Sequence, residues 1–265
     1  MADKTIILYD FPSKNGSWNA FVIRIRYEQK KCNKYCDLPI LLHQACAEVQ
    51  RPSFQNRLDR ISDVESTLKA AGIPPTAQWP DSGKPSYTLP AIVDPSTGAA
   101  LADSLVIAEY LDKAYPDKPL LMPSSTKALQ LAFEQAVLSS IGPMFFQFIL
   151  IKLCDVVNPA SEEYFRRSRV SLFGKSVEDL VPKGESAKEE WKKLEAGFGK
   201  IAGWMKEDKF VMGDTVSFAD FVIGGWIITS KIAWGEDSQE WKDIAGWHDG
   251  RWSKLVKNLE PYYSK

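Results

Sequence analysis

The chain has 265 residues, with 33 Lys+Arg against 34 Asp+Glu for a net charge of -1, and 45% of it is hydrophobic. That length allows one large domain or two modest ones with a full core. A near-neutral charge without long runs of one sign argues against a nucleic-acid partner, and four cysteines in so long a chain do not make a disulfide framework.

The first apolar run, "TIILYDF" (Thr5 to Phe11), reads as a short strand. The opening "MADKTIILYD" lacks the longer apolar stretch of a secretory signal, so a cytoplasmic protein is expected. Ser17 stands as N-cap of a helix over "SWNAFVIRIRYEQKK", Ser17 to Lys31. The segment over residues 30–52 then holds Cys32, Cys36, His43 and Cys46. Those are zinc-ligand types, but the spacing is not a paired C-x-x-C, and no metal is expected. After it, "SFQNRLDRIS" makes a poor second strand, while "VESTLKAAG" reads as a short helix closed by Gly72.

"YTLPAIVD" (Tyr87 to Asp94) reads as a buried strand with a proline near its front. Proline has no N–H for a sheet ladder. Its common use at a strand entrance is a cis bond that leaves the preceding residue's backbone groups open to a ligand. The run continues as a hairpin turned at Pro95 to Gly98, and then as a helix with Ile107, Tyr110, Leu111 and Ala114 on one stripe, ended by Pro116. The order through residue 116 is β-α-(β)-α-β-β-α.

Beyond the connector "PDKPLLMPSS", residues 126–265 read as helices only. Trp191, Leu194, Phe198, Ile201 and Met205 alternate at spacings of three and four, one buried face. "VSFADF" approximates a capping box, with Ser217 as N-cap and Asp220 at N3, and a staple of Val216 with Phe221. The apolar segments "PMFFQFILIKLC" and "FVIGGWIITSKIAW" are broken by Gln147, Lys152 and Lys231, short of the roughly 18 residues a span needs, so no membrane partner is expected.

A mixed sheet of this order, with a proline opening its third strand, resembles the thioredoxin-like arrangement. With an all-helical second half the chain resembles the glutathione transferases, through "TLPAIVD", "ADSLVIAEYLD" and "GDTVSFADF" in that order. "YFRRSR" (Tyr164 to Arg169) and "SWNAFVIRIRY" are similar to the fungal FuA class. The implied fold class is α/β plus all-α: a thioredoxin-like glutathione-binding domain over 1–116, in which residues 30–52 are an unusual insertion, and an all-helical domain over 126–265 carrying a hydrophobic substrate site.

The resemblance also implies the site. Ser17 is the catalytic serine with Asn19 two residues on, although Trp18 stands where that class has proline. Ser13 and Tyr9 are the rival contacts to the sulfur. A thiol reacts as its thiolate, and a hydroxyl donor at a helix N-terminus lowers a thiol pKa from roughly 8.5. Leu89, freed by a cis bond to Pro90, pairs with the cysteinyl backbone of glutathione, Ser104 receives the γ-glutamyl carboxylate, and Asp103 meets its ammonium or the local hydrogen-bond network. Phe145, Phe146 and Tyr164 are the expected contacts for a hydrophobic or aromatic electrophile, with Arg167 as a further polar group. Glutathione is then a co-substrate, the assembly a homodimer, and the alternative a non-catalytic, ligandin-type binder of aromatic compounds.

Overall fold

The computed structural model describes residues 6–10, 60–117 and 120–262. Ser13, Ser17, Asn19, the helix expected from Ser17 to Lys31 and the cysteine-rich segment lie outside the described residues. In chain order the first half contains β1 (Ile7–Tyr9), a 3₁₀ turn at Ile61–Asp63, α1 (Val64–Ala70), β2 (Ala77–Gln78), β3 (Pro85–Ser86), β4 (Ala91–Asp94), β5 (Ala99–Ala102) and α2 (Ser104–Ala114). The strands β1, β4 and β5 form one antiparallel sheet in that order. Leu8 stands opposite Ile92, and Ile92 opposite Leu101.

Leu8 and Ile92 share a core with Leu68 of α1 and Ile107 of α2, all 1% exposed or less. The strand period of two and the helix period of 3.6 deliver these side chains to one layer. Tyr9 is 5% exposed in the same layer and serves as packing. The β2–β3 hairpin was not foreseen, because two-residue strands carry no alternation to read.

Asp94 closes β4. Its buried carboxylate accepts from the hydroxyls of Tyr110 and Tyr115, each at 2.5 Å, and from the Ser96 N–H at 2.8 Å. Burial alone would raise its pKa, but these donors together hold it below the ordinary aspartate value. For Tyr110, burial and the adjacent carboxylate push the phenol up to about 12. The hairpin turn is thereby tied to the last two turns of α2, which sets the angle of the helix over the sheet.

The second half contains α3 (Lys127–Val156), α4 (Pro159–Phe173), α5 (Val177–Leu180), α6 (Glu185–Met205), α7 (Phe218–Trp234) and α8 (Gln239–Leu259). By length and composition α3 would suffice to cross a membrane. That corrects the sequence expectation, which counted the apolar run as too short. It is instead the central helix of the bundle, with Val137, Ile141, Phe145 and Ile149 at 1% exposure or less against α6 and α7. Gly197 of α6 meets the Ser140 carbonyl of α3 so closely that no side chain fits between them.

The start of α7 is buried and fully satisfied. The Asp220 carboxylate accepts from the Ser217 N–H at 2.9 Å, the Ser217 hydroxyl at 3.1 Å and the Val211 N–H at 2.7 Å, as the capping box predicts. Gln130 of α3 completes it by accepting from the Ala219 N–H at 3.0 Å. Within α8, His248, Asp249 and Gly250 adopt left-handed backbone and break the helix. Gly199 of α6 leaves room for the His248 ring, whose Nδ1 accepts from Trp252 Nε1 at 3.2 Å.

Candidate functional site

The β4–β5 hairpin brings a strand entrance and a helix start together. The Leu89-Pro90 peptide bond is cis. The Pro90 carbonyl accepts from the Asp103 N–H at 3.1 Å, so the two predicted motifs adjoin. Among the described residues the Leu89 N–H and C=O have no hydrogen-bond partner, and the Leu89 side chain is buried.

Asp103 caps α2. Its Oδ1 accepts from the Leu105 N–H at 2.9 Å and the Val106 N–H at 3.2 Å. Its Oδ2 has no partner among the described residues. The residue stands at φ 82, a conformation that costs on the order of 1–3 kcal/mol in a non-glycine residue and collects at functional sites. One oxygen thus orders the helix and the other is free to accept from a cation. Ser104 beside it is 5% exposed and begins the helix, where the dipole favours an anion. An adjacent anion acceptor and cation acceptor suit a zwitterionic α-amino acid end group.

A cavity of about 290 Å³ opens at this point, lined by Asp103, Ser104 and Leu105 and, from the helical half, by Leu131, Glu134, Gln135, Leu138 and Trp226. Next to it lies a cavity of about 760 Å³, within the usual range for small-molecule sites. Its long wall is one face of α3: Gln135, Leu138, Ser139, Gly142, Pro143, Phe146 and Gln147. Phe173, Lys175, Asp179 and Leu180 close the other side. Phe146 and Phe173 face each other with ring centroids 5.7 Å apart. Pro143 has no N–H to donate to the Ser139 carbonyl one turn before it, so the helix loses one backbone hydrogen bond along this wall.

Of the expected electrophile contacts, Phe146 lines the larger cavity and Phe145 does not. Phe145 is 1% exposed and packs edge-on against Trp226 and Trp234, because helical rotation sends adjacent residues to different faces. Tyr164 also lies outside both cavities. Its helix packs on the 3₁₀ turn at Ile61, whose N–H donates to Ser161 Oγ at 2.9 Å, and Arg167 lies 5.6 Å over the Tyr164 ring. Burial raises the pKa of this phenol, so it remains protonated. Cys154 is buried and its thiol is pushed up to about 11, which removes it as a nucleophile. Among the described residues no cluster of three His, Cys, Asp or Glu forms a metal centre. The overlooked residues Gln135, Leu138 and Gly142 had only a spacing signal, the three-and-four stripe on α3. Phe173, the last residue of α4, joins them only through the packing of the two helices.

A small sheet with a cis-proline beside a helix N-terminus, joined to a helical bundle bearing an apolar cavity, defines a two-domain thioredoxin-like protein. Residues 128–262 match the glutathione S-transferase C-terminal domain, and residues 46–114 match the glutathione S-transferase N-terminal domain. The structure superposes on a glutathione S-transferase of Ceriporiopsis subvermispora solved in complex with glutathione, with 36% identity, 98% of each chain covered and a TM-score of 0.86. It is also similar to glutathione transferase GSTFuA3 from Phanerochaete chrysosporium, with 30% identity, 97% of each chain covered and a TM-score of 0.84. In sequence it is 28% identical to the glutathione S-transferase-like protein ustS of Aspergillus flavus over 96% of this chain and 89% of that one. The chain belongs to the glutathione S-transferase family.

Proposed function

We propose that the protein transfers the thiolate of glutathione to hydrophobic, aromatic electrophiles. The observation that carries this reading is the aromatic-walled cavity sharing Gln135 and Leu138 with the pocket at Asp103 and Ser104. Glutathione lies with its γ-glutamyl carboxylate on Ser104, its ammonium on the free Asp103 oxygen, and its cysteinyl backbone on the open Leu89 groups. Ser17 donates to the sulfur and lowers its pKa, with Asn19 supporting that end of the site. Each pKa unit of depression stabilises the thiolate by about 1.4 kcal/mol. The electrophile lies against Phe146 and Phe173, and the rate arises from positioning together with thiolate stabilisation.

The two halves divide between residues 116 and 126, and the insertion over 30–52 belongs to the first. The protein works as a homodimer in the cytosol, where reduced glutathione is held, and removes reactive xenobiotics. Val106 of α2 and Leu129 of α3, 45% and 71% exposed, support the dimer. They lie on neighbouring helices joined by the Lys127–Glu109 ion pair at 2.6 Å. The test is glutathione-dependent turnover of a chlorinated dinitrobenzene by the wild type and Ser17→Ala. Turnover is expected to fall by about a hundredfold in the variant, the size of effect of losing one oriented donor, while glutathione affinity survives. Negligible turnover in both proteins, with tight binding of aromatic dyes, would instead identify a ligandin-type binder.

A further inference from the structure

Two side chains of α3, Gln135 and Leu138, line both cavities and form the wall between them. Leu138 is the apolar member. It lies over Gly142, where a Cβ would come within 3.0 Å of Leu138 Cδ1 and 3.9 Å of Phe146 Cε2. Carbon atoms pack best at about 3.5–4.0 Å. A side chain at 142 would therefore push the Leu138 tip off its seat, while meeting Phe146, which holds the wall opposite Phe173, at ordinary contact distance.

We infer that Leu138, seated over Gly142, is a specificity-determining partition: it stops an aromatic ligand in the larger cavity from entering the γ-glutamyl pocket, so that ligand and glutathione bind side by side. This rests on the assignment of the two cavities made above. Transfer requires both partners at once. A continuous apolar groove would let a long ligand slide across and displace the tripeptide. The leucine sets the length at which such a ligand stops, and the bare α-carbon of Gly142 allows the leucine to lie there.

The test is calorimetric titration of glutathione with and without saturating 8-anilinonaphthalene-1-sulfonate. The proteins compared are the wild type, Leu138→Ala, Gly142→Ala and Phe146→Ala. Leu138 is 37% exposed, and the atom nearest a Gly142 Cβ is the mobile end of a side chain, so Leu138→Ala and Gly142→Ala keep the fold. In the wild type the dye is expected to change the glutathione dissociation constant by less than about twofold, and in Leu138→Ala to raise it by about fivefold or more. Gly142→Ala is expected to bind the dye about threefold more weakly or worse, with glutathione affinity kept. Competition already present in the wild type, or absent from Leu138→Ala, overturns the partition alone, provided Phe146→Ala weakens the dye. Dye affinity unchanged in Phe146→Ala overturns the cavity assignment itself, and the partition with it.

Discussion

Two glycines of α6 receive the same substitution with opposite expected results. At Gly197 an alanine Cβ would stand 2.2 Å from the Ser140 carbonyl oxygen and 3.2 Å from Ile141 Cγ2. The first obstacle is backbone and cannot rotate away, so α3 and α6 must part by on the order of 1 Å to reach ordinary contact. That opening strips contacts from Val137, Ile141, Leu194 and Phe198, all 0% exposed. Overpacking costs about 1–3 kcal/mol, and a clash with main chain belongs at or above the top of that range. The gain in helix propensity offsets about 1 kcal/mol, leaving a net loss of about 2 kcal/mol. At Gly203 a Cβ meets nothing within 4 Å. Alanine there contributes propensity alone, up to about 1 kcal/mol of stabilisation. Urea unfolding followed by circular dichroism and tryptophan fluorescence reads both. With a slope of about 3 kcal/mol/M, the midpoint falls by about 0.7 M for Gly197→Ala and rises by about 0.3 M for Gly203→Ala. A Gly197→Ala midpoint at or above the wild-type value would refute the close helix crossing.

Asp103→Asn keeps an oxygen for the α2 cap, so stability should stay within about 0.5 kcal/mol while glutathione binding weakens about tenfold. Asp103→Ala should lose both, with about 1 kcal/mol from the cap. Thermal unfolding and calorimetry on the two variants separate the roles, and equal behaviour in both assays would reject them. Asp220→Ala removes the acceptor of three hydrogen bonds, two of them buried, and should destabilise by about 3 kcal/mol or more by urea midpoint; a loss under about 1 kcal/mol would mean that the α7 start is not held there. Asp94 has a folded pKa below its unfolded value, so its contribution is complete above the unfolded pKa near 3.8 and is lost as pH falls through the folded value. The stability difference between the wild type and Tyr115→Phe should therefore be flat from pH 7 to about 5 and shrink below about pH 4; a difference constant into acid would exclude the charged carboxylate as acceptor.

Local chemistry made much of this molecule legible before any coordinates. Pro90 at a strand entrance, Asp103-Ser104 before an apolar helix and Ser217 with Asp220 before another are signals within a few residues of one another. Backbone sterics and capping act over that range, and the structure has each as expected. The stripe from Trp191 to Met205 was legible for the same reason, since a period of 3.6 is a property of one helix. Phe145 and Phe146 show where this stops: both are apolar and adjacent, and only the positions of Trp226 and Phe173 decide which is core and which is wall. Tyr164 is a second case, since only the packing of α4 on the turn at Ile61 decides that it lines neither cavity.

By itself, then, the sequence determined the β4–β5 hairpin with the helix that follows it, the helical second half, the caps of α2 and α7 and the pairing of a cis-proline with a helix N-terminus. Only the tertiary structure decided that α3 is a bundle core rather than a free apolar rod, that its other face forms a cavity wall, and that Leu138 over Gly142 separates two pockets. The reason is geometric: a cavity is the space left between elements distant in sequence, and no local pattern encodes what will stand on its far side.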